Sequence, residues 1–150
     1  MKTRIHALAG IMALLTIALF CSATLVAELF LSIERVVWVK QMIVTGLWIL
    51  IPLLMITGGS GFALGKGGSH PLIRQKQRRM PRIAANGLLI LVPSALFLAS
   101  KAEAGAFDVL FYGVQGLELV AGALNLTWMG LNVRDGLRMR NTGGGFHGGE

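Results

Sequence analysis

The sequence predicts an all-α polytopic membrane protein, four transmembrane helices in an antiparallel bundle. Three observations carry this. Of 150 residues, 54% are hydrophobic and only 14% charged, whereas a soluble domain carries roughly 25% charged residues. The apolar residues gather in four runs, at about 5–31, 36–57, 83–100 and 107–133, each long enough to cross a hydrocarbon core about 30 Å thick. The Lys and Arg residues between the runs are unevenly shared out. With those runs in the bilayer, no segment is left to bury a soluble core, so any activity belongs inside the bundle or at its rims. The domain is 1–142; the Gly-rich stretch 143–150 is expected to be a disordered tail.

The first run follows the basic start Met1-Lys2-Thr3-Arg4. From Ile5 to Leu31 it would extend about 40 Å as a helix. A cleaved signal peptide has a similar start, and Cys21-Ser22-Ala23 supplies small residues, but its apolar core spans about 7–15 residues. The length favours a retained helix. Glu28 lies near the far end and can reach the interface. Ser32-Ile33-Glu34-Arg35 interrupts the pattern and is expected to be a tight turn. The second run, Val36 to Thr57, opens with Trp38 and Lys40, which are expected at the membrane interface, and contains Pro52, a source of kinks. Gly58 to Arg82 reads as a polar loop, glycine-rich and then basic: Lys66, Arg74, Lys76, Arg78, Arg79 and Arg82, without an acid. The third run, Ile83 to Ser100, carries Asn86 and Pro93. After a short connection at 101–106 comes the fourth, Phe107 to Val133, and then Arg134, Asp135, Arg138 and Arg140.

Four spans put both termini and the 58–82 loop on one side. That side holds Lys2, Arg4, Lys66, Arg74, Lys76, Arg78, Arg79, Arg82, Arg134, Arg138 and Arg140, eleven cations; the other holds Arg35, Lys40 and Lys101, three. Positive charge marks the cytoplasmic side, so both termini are expected in the cytoplasm of a bacterial inner-membrane protein. The net charge of +7 is explained by this bias rather than by nucleic acid. Arg74, Lys76, Arg78, Arg79 and Arg82 are expected to meet anionic lipid headgroups.

The fourth run carries the most informative pattern. Gln115, Glu118, Gly122, Asn125, Met129 and Asn132 recur at spacings of three, four, three, four and three, a single stripe along one helix face. Leu117, Leu119, Val120, Leu124, Leu126, Trp128 and Leu131 surround it. Such a stripe turns toward other helices. Glu118 sits near mid-membrane, where an acid costs roughly 2.5–3.5 kcal/mol on insertion scales. It is expected to be protonated or bonded to Gln115, Asn125, Asn86 or another helix. Those five residues, Gln115, Glu118, Asn125, Asn132 and Asn86, form the candidate intramembrane polar site. Its roles are a clasp fixing helix register or a proton or ligand site.

Other signals are thinner. The lone Cys21 excludes a disulfide framework and reads as a packing residue. Gly65-Lys66-Gly67 lacks the Ser/Thr and the preceding strand of a phosphate-binding loop. His6, at the rim of the first run, is either an interfacial histidine or an axial haem ligand. No metal site is expected, since three or four ligands are needed and His6 has no local partner.

The segments His6-Ala-Leu-Ala-Gly10, Trp38-Val-Lys40, Thr57-Gly58 and Arg82-Ile-Ala-Ala-Asn86 with Pro93 resemble HemJ-type and copper-resistance-D-type membrane bundles, over about two-thirds of the chain. The chain also resembles small four-helix bacterial inner-membrane proteins. The HemJ-type resemblance implies a haem-binding membrane protoporphyrinogen oxidase that uses a helix-one histidine and a lysine. Here the topology sets His6 and Lys40 at opposite rims, on the order of 30 Å apart. A haem b on His6 would therefore take its second ligand from His70, Met80 or Met129, or stay five-coordinate.

Three functions are thus in play. The first is a non-enzymatic accessory subunit whose stripe holds its own bundle or a partner helix. The second is a haem- or porphyrin-binding redox protein on His6. The third is a small proton-linked transporter centred on Glu118.

Overall fold

The computed structural model describes residues 2–65 and 71–142, with side chains at 4–61 and 78–138. The described residues are helical apart from two tight connections. Helix α1 spans Lys2–Phe30, α2 Ile33–Gly65, α3 Pro71–Asn86, α4 Val92–Glu103 and α5 Val109–Thr142. A π-helical turn, Gly87–Leu91, joins α3 to α4, so α3, the turn and α4 form one span. Four segments are long and apolar enough to cross a membrane: Arg4–Phe30, Ile33–Gly61, Arg78–Glu103 and Val109–Arg138. The chain is thus all-α and of multi-pass character.

Successive spans run antiparallel. Both ends of the described chain lie at one end of the bundle, here the terminal end; the α1–α2 and α4–α5 connections lie at the far end. Helix α2 packs on α1, α3 and α4, and α5 closes the bundle against α1, α3 and α4. The core is built from Ala13, Ile17 and Ala27 of α1, Val39, Ile43, Leu47 and Leu50 of α2, Leu98 of α4 and Phe111 of α5. The outer face is equally apolar: Leu15, Leu19, Trp48, Leu89 and Val120 are all exposed. A surface apolar inside and out is what lipid demands of a helix.

The connections are set by local chemistry. At the α1–α2 turn the Ser32 carbonyl accepts from the N–H groups of Arg35 and Val36 at 2.9 and 3.0 Å, so α2 starts at once and the break is shorter than 32–35. Helix α4 ends in a Schellman motif: Gly105 N–H bonds Ala102 O at 3.0 Å and Ala106 N–H bonds Lys101 O at 2.9 Å. Gly105 stands at φ +67°, a left-handed conformation that favours glycine. Asp108 then caps α5, its Oδ1 accepting from Phe111 N–H at 2.9 Å.

The expected 58–82 loop is largely helix. α2 continues through Gly58, Gly59 and Gly61 to Gly65, and Pro71 opens a helix that runs through Arg82. Mid-helix glycine costs about 1 kcal/mol, less than leaving backbone N–H and C=O groups unpaired near an apolar core. Pro71 at the first helical position costs no hydrogen bond. The expected tail at 143–150, and Lys66 and His70, lie outside the described residues.

Candidate functional site

The stripe on α5 is buried along most of its length. Glu118 accepts a hydrogen bond from Lys40 Nζ at 3.0 Å. Lys40 is 1% exposed, and its Nζ also lies 3.4 Å from Thr24 Oγ1, donating to it. The sequence reading set Lys40 at the interface; the structure corrects this. Because α2 begins at Ile33, Lys40 is two turns inside the helix, and its amine turns inward to the acid on α5. One ammonium thereby ties α1, α2 and α5 together. An apolar cavity of about 40 Å³ adjoins Glu118, lined also by Cys21, Thr24, Ile43 and Leu119.

One turn nearer the terminal end, Gly122 faces α1; a Cβ there would lie 2.6 Å from Cys21 Sγ. Beyond it is an amide clasp. Asn86 Nδ2 donates to Ala121 O at 2.7 Å and to Asn125 Oδ1 at 2.9 Å, and Asn125 Nδ2 donates to Ile83 O at 3.4 Å. Asn125 is wholly buried. Among the described residues three side-chain oxygens are buried without a hydrogen-bond partner: Glu28 Oε1, Gln115 Oε1 and Asn132 Oδ1. The polar site read from the sequence is therefore two things. Glu118, Asn125 and Asn86 are bonded within the bundle, while Gln115 and Asn132 each carry an acceptor unspent.

At the terminal end a second cavity, of about 660 Å³, opens among α1, α2, α3 and α5. His6, Met80, Met129 and Asn132 line it, with Arg4, Gly10 and Thr57. His6 is buried, and its Nδ1 lies 3.1 Å from Thr57 O and 3.0 Å from Ser60 Oγ. A carbonyl only accepts, so in the contact with Thr57 O the Nδ1 position carries the hydrogen. This anchoring of Nδ1 by a backbone carbonyl is the arrangement that orients metal-binding histidines. Gly61 makes the corner possible: a Cβ there would strike the thioether of Met80 and lie 2.8 Å from His6 Cε1. So His6 and Met80, 74 residues apart in sequence, meet over one glycine, and Met129 joins them across the cavity.

The basic rim lies beside this cavity. Arg79 Nη1 donates to Asp135 Oδ2 at 2.7 Å, and Arg134 Nε lies 3.6 Å from Asp135 Oδ1. Arg79, expected against headgroups, thus spends its charge on α5. Arg78 and Arg82 are exposed; the side chains of Arg74 and Lys76 lie outside the described residues. At the far end Lys101 pairs with Asp108. The hydrogen bond from Lys101, and then that from Phe111 N–H, hold the Asp108 carboxyl below its ordinary pKa. Among the described residues no three His, Cys, Asp or Glu side chains converge as a metal site.

Sequence reasoning missed Lys40 and Ser60. The first could have been found by asking which cation answers Glu118; nothing in the sequence marks Ser60.

Fold and sites together define an α-bundle of four segments long and apolar enough to cross a membrane, with a buried ion pair at its centre and a His/Met-lined cavity at one end. No family model, no curated protein and no solved structure matches this chain.

Proposed function

We propose that the chain is an integral membrane protein of the bacterial inner membrane that binds a flat amphipathic ligand, haem or a related porphyrin, in the terminal-end cavity. The observation that carries this reading is the convergence of His6, Met80 and Met129 on one cavity of about 660 Å³. Ligand pockets run to about 300–1,000 Å³. The donor set suits the group. An imidazole anchored through Nδ1, with a thioether from Met80 or Met129, would be the donors to hold haem iron. Arg4 offers a cation to a carboxylate at the cavity edge, and the buried Asn132 Oδ1 offers an acceptor. Bound haem would supply one-electron chemistry; the protein holds it, orients it and keeps lipid and water from the ring.

The Lys/Arg bias supports an orientation with both termini, and hence the cavity, on the cytoplasmic side. Arg78 and Arg82 are available to anionic headgroups there. The accessory-subunit reading draws on the polar stripe. The stripe's bonds to Lys40 and Asn86 are internal, which favours a role in holding this bundle over one in gripping a partner helix.

The test is a titration of the detergent-purified protein with hemin, read in the Soret band. The expected result is a saturable, one-to-one spectrum that His6→Ala abolishes and Met80→Leu shifts. A flat titration of folded protein, or a spectrum indifferent to His6→Ala, would end the haem reading.

A further inference from the structure

The far-end half of the bundle carries a charge imbalance that the ion pair does not resolve. Lys40 brings one positive charge, while Glu118 and Glu28 bring two negative ones. Glu28 is one turn from Thr24 on α1, and Gln115 one turn from Glu118 on α5. Residues so spaced share a helix face, and Thr24 and Glu118 both contact Lys40 Nζ, at 3.4 and 3.0 Å. Because α1 and α5 run in opposite directions, the steps from Thr24 to Glu28 and from Glu118 to Gln115 both lead toward the far end. Each ends on a buried oxygen without a hydrogen-bond partner, Glu28 Oε1 and Gln115 Oε1. Gln115 is only 5% exposed.

The charged groups around this half are otherwise engaged or turned away. Glu34 and Arg35 of α2 are exposed. Glu103 of α4 accepts from Gln41 Nε2 at 3.3 Å, and Lys101 pairs with Asp108. None of them bonds Glu28, Gln115 or Glu118. Buried acceptors are expected to be bonded, and a charge held in an apolar bundle is expected to have a counter-charge.

We propose that Glu28, Gln115 and Glu118 form a site for one monovalent cation, a proton or an alkali-metal ion, with Lys40 as the fixed internal counter-charge. One added positive charge brings the cluster to neutrality. As a proton on Glu28 it also turns an orphaned acceptor into a donor for the amide oxygen of Gln115, directly or through water. As an alkali ion it takes carboxylate and amide oxygens as its ligands, the chemistry such ions prefer. Glu28, three residues before the α1–α2 turn, gives the site its mouth at the far end. It stands apart from the terminal-end cavity and does not depend on what that cavity binds.

The experiment is thermal unfolding of the full chain in detergent, followed by tryptophan fluorescence. One series varies pH in choline chloride; a second exchanges choline for sodium or potassium at high pH and constant ionic strength. A proton site raises Tm by about 3 °C or more as pH falls, with no alkali-ion effect. An alkali-ion site raises Tm by a similar amount on exchange at high pH. Either dependence must vanish in Glu28→Gln, which removes the excess charge and keeps the side-chain shape. Gln115→Leu, which keeps every charge, should move the half-effect concentration about tenfold. A wild-type Tm flat in both series, or a dependence that survives Glu28→Gln, overturns the proposal.

Discussion

The middle of the bundle and its terminal end are built from the same helices, yet they use polar residues in opposite ways. In the middle, Lys40 Nζ comes within hydrogen-bond reach of both Glu118 and Thr24, and Asn86 and Asn125 close on each other and on backbone carbonyls. The space left beside them is about 40 Å³. At the terminal end, His6, Met80, Met129 and Asn132 instead border about 660 Å³. A polar group in an apolar bundle must find a partner. Where packing is tight the partner is another side chain, and the result is rigidity. Where open space is left beside His6, Met80, Met129 and Asn132, the partner can be a ligand.

Breaking the central pair is expected to have the largest effect. Lys40→Met strands Glu118 in the core and should cost about 3–5 kcal/mol, whereas Lys40→Met with Glu118→Leu should recover most of that loss. Denaturation in mixed micelles measures both. A neutral Lys40→Met would mean that the pair is not a structural tie. Next comes Asn125→Leu, which removes a wholly buried partner of Asn86 and should cost about 1–3 kcal/mol. Gly122→Ala drives a methyl into Cys21 and should cost a similar amount, about 1–3 kcal/mol; Cys21→Ala in the same chain should relieve it. If the double variant is no more stable than Gly122→Ala alone, α1 and α5 do not meet through that contact.

The smallest effect sharpens the contrast from outside the core. Asp108 caps α5 and pairs with Lys101, and its carboxyl pKa lies below the ordinary value near 3.8. A depressed carboxyl contributes stability that is full above its unfolded pKa and is lost as pH falls through the folded one. Wild type should therefore lose a small increment below about pH 4 that Asp108→Asn lacks; parallel pH–Tm curves for the two would exclude it. Both the middle and the cavity should be indifferent to this substitution.

Much of the fold was legible because hydropathy alone marks four spans, and lipid-scale helices leave the chain few alternatives. The α5 stripe was legible from its spacing. Lys40 was misread because a lysine near the start of an apolar run looks the same whether it snorkels outward or turns inward. The decision depended on where α2 begins, and Ser32 set that three residues earlier than the apolar pattern suggested. Gly58 to Gly61 looked like a loop because glycine marks turns in water; here the stretch is helix, and Gly61 admits Met80 and His6 against it. The cavity was only half visible. His6, Met80 and Met129 could each be named as haem ligands from the sequence, but their meeting depends on four helices whose contributions span Arg4 to Leu137.

The division between a closed middle and a receptive end can be tested in one set of hemin titrations, on wild type, His6→Ala and the Lys40→Met, Glu118→Leu double variant. The double variant is expected to take up hemin with the wild-type Soret spectrum while His6→Ala, folded by circular dichroism, takes up none. Equal binding by His6→Ala and wild type, or loss of binding only in the double variant, would contradict it and move the ligand site to the middle of the bundle.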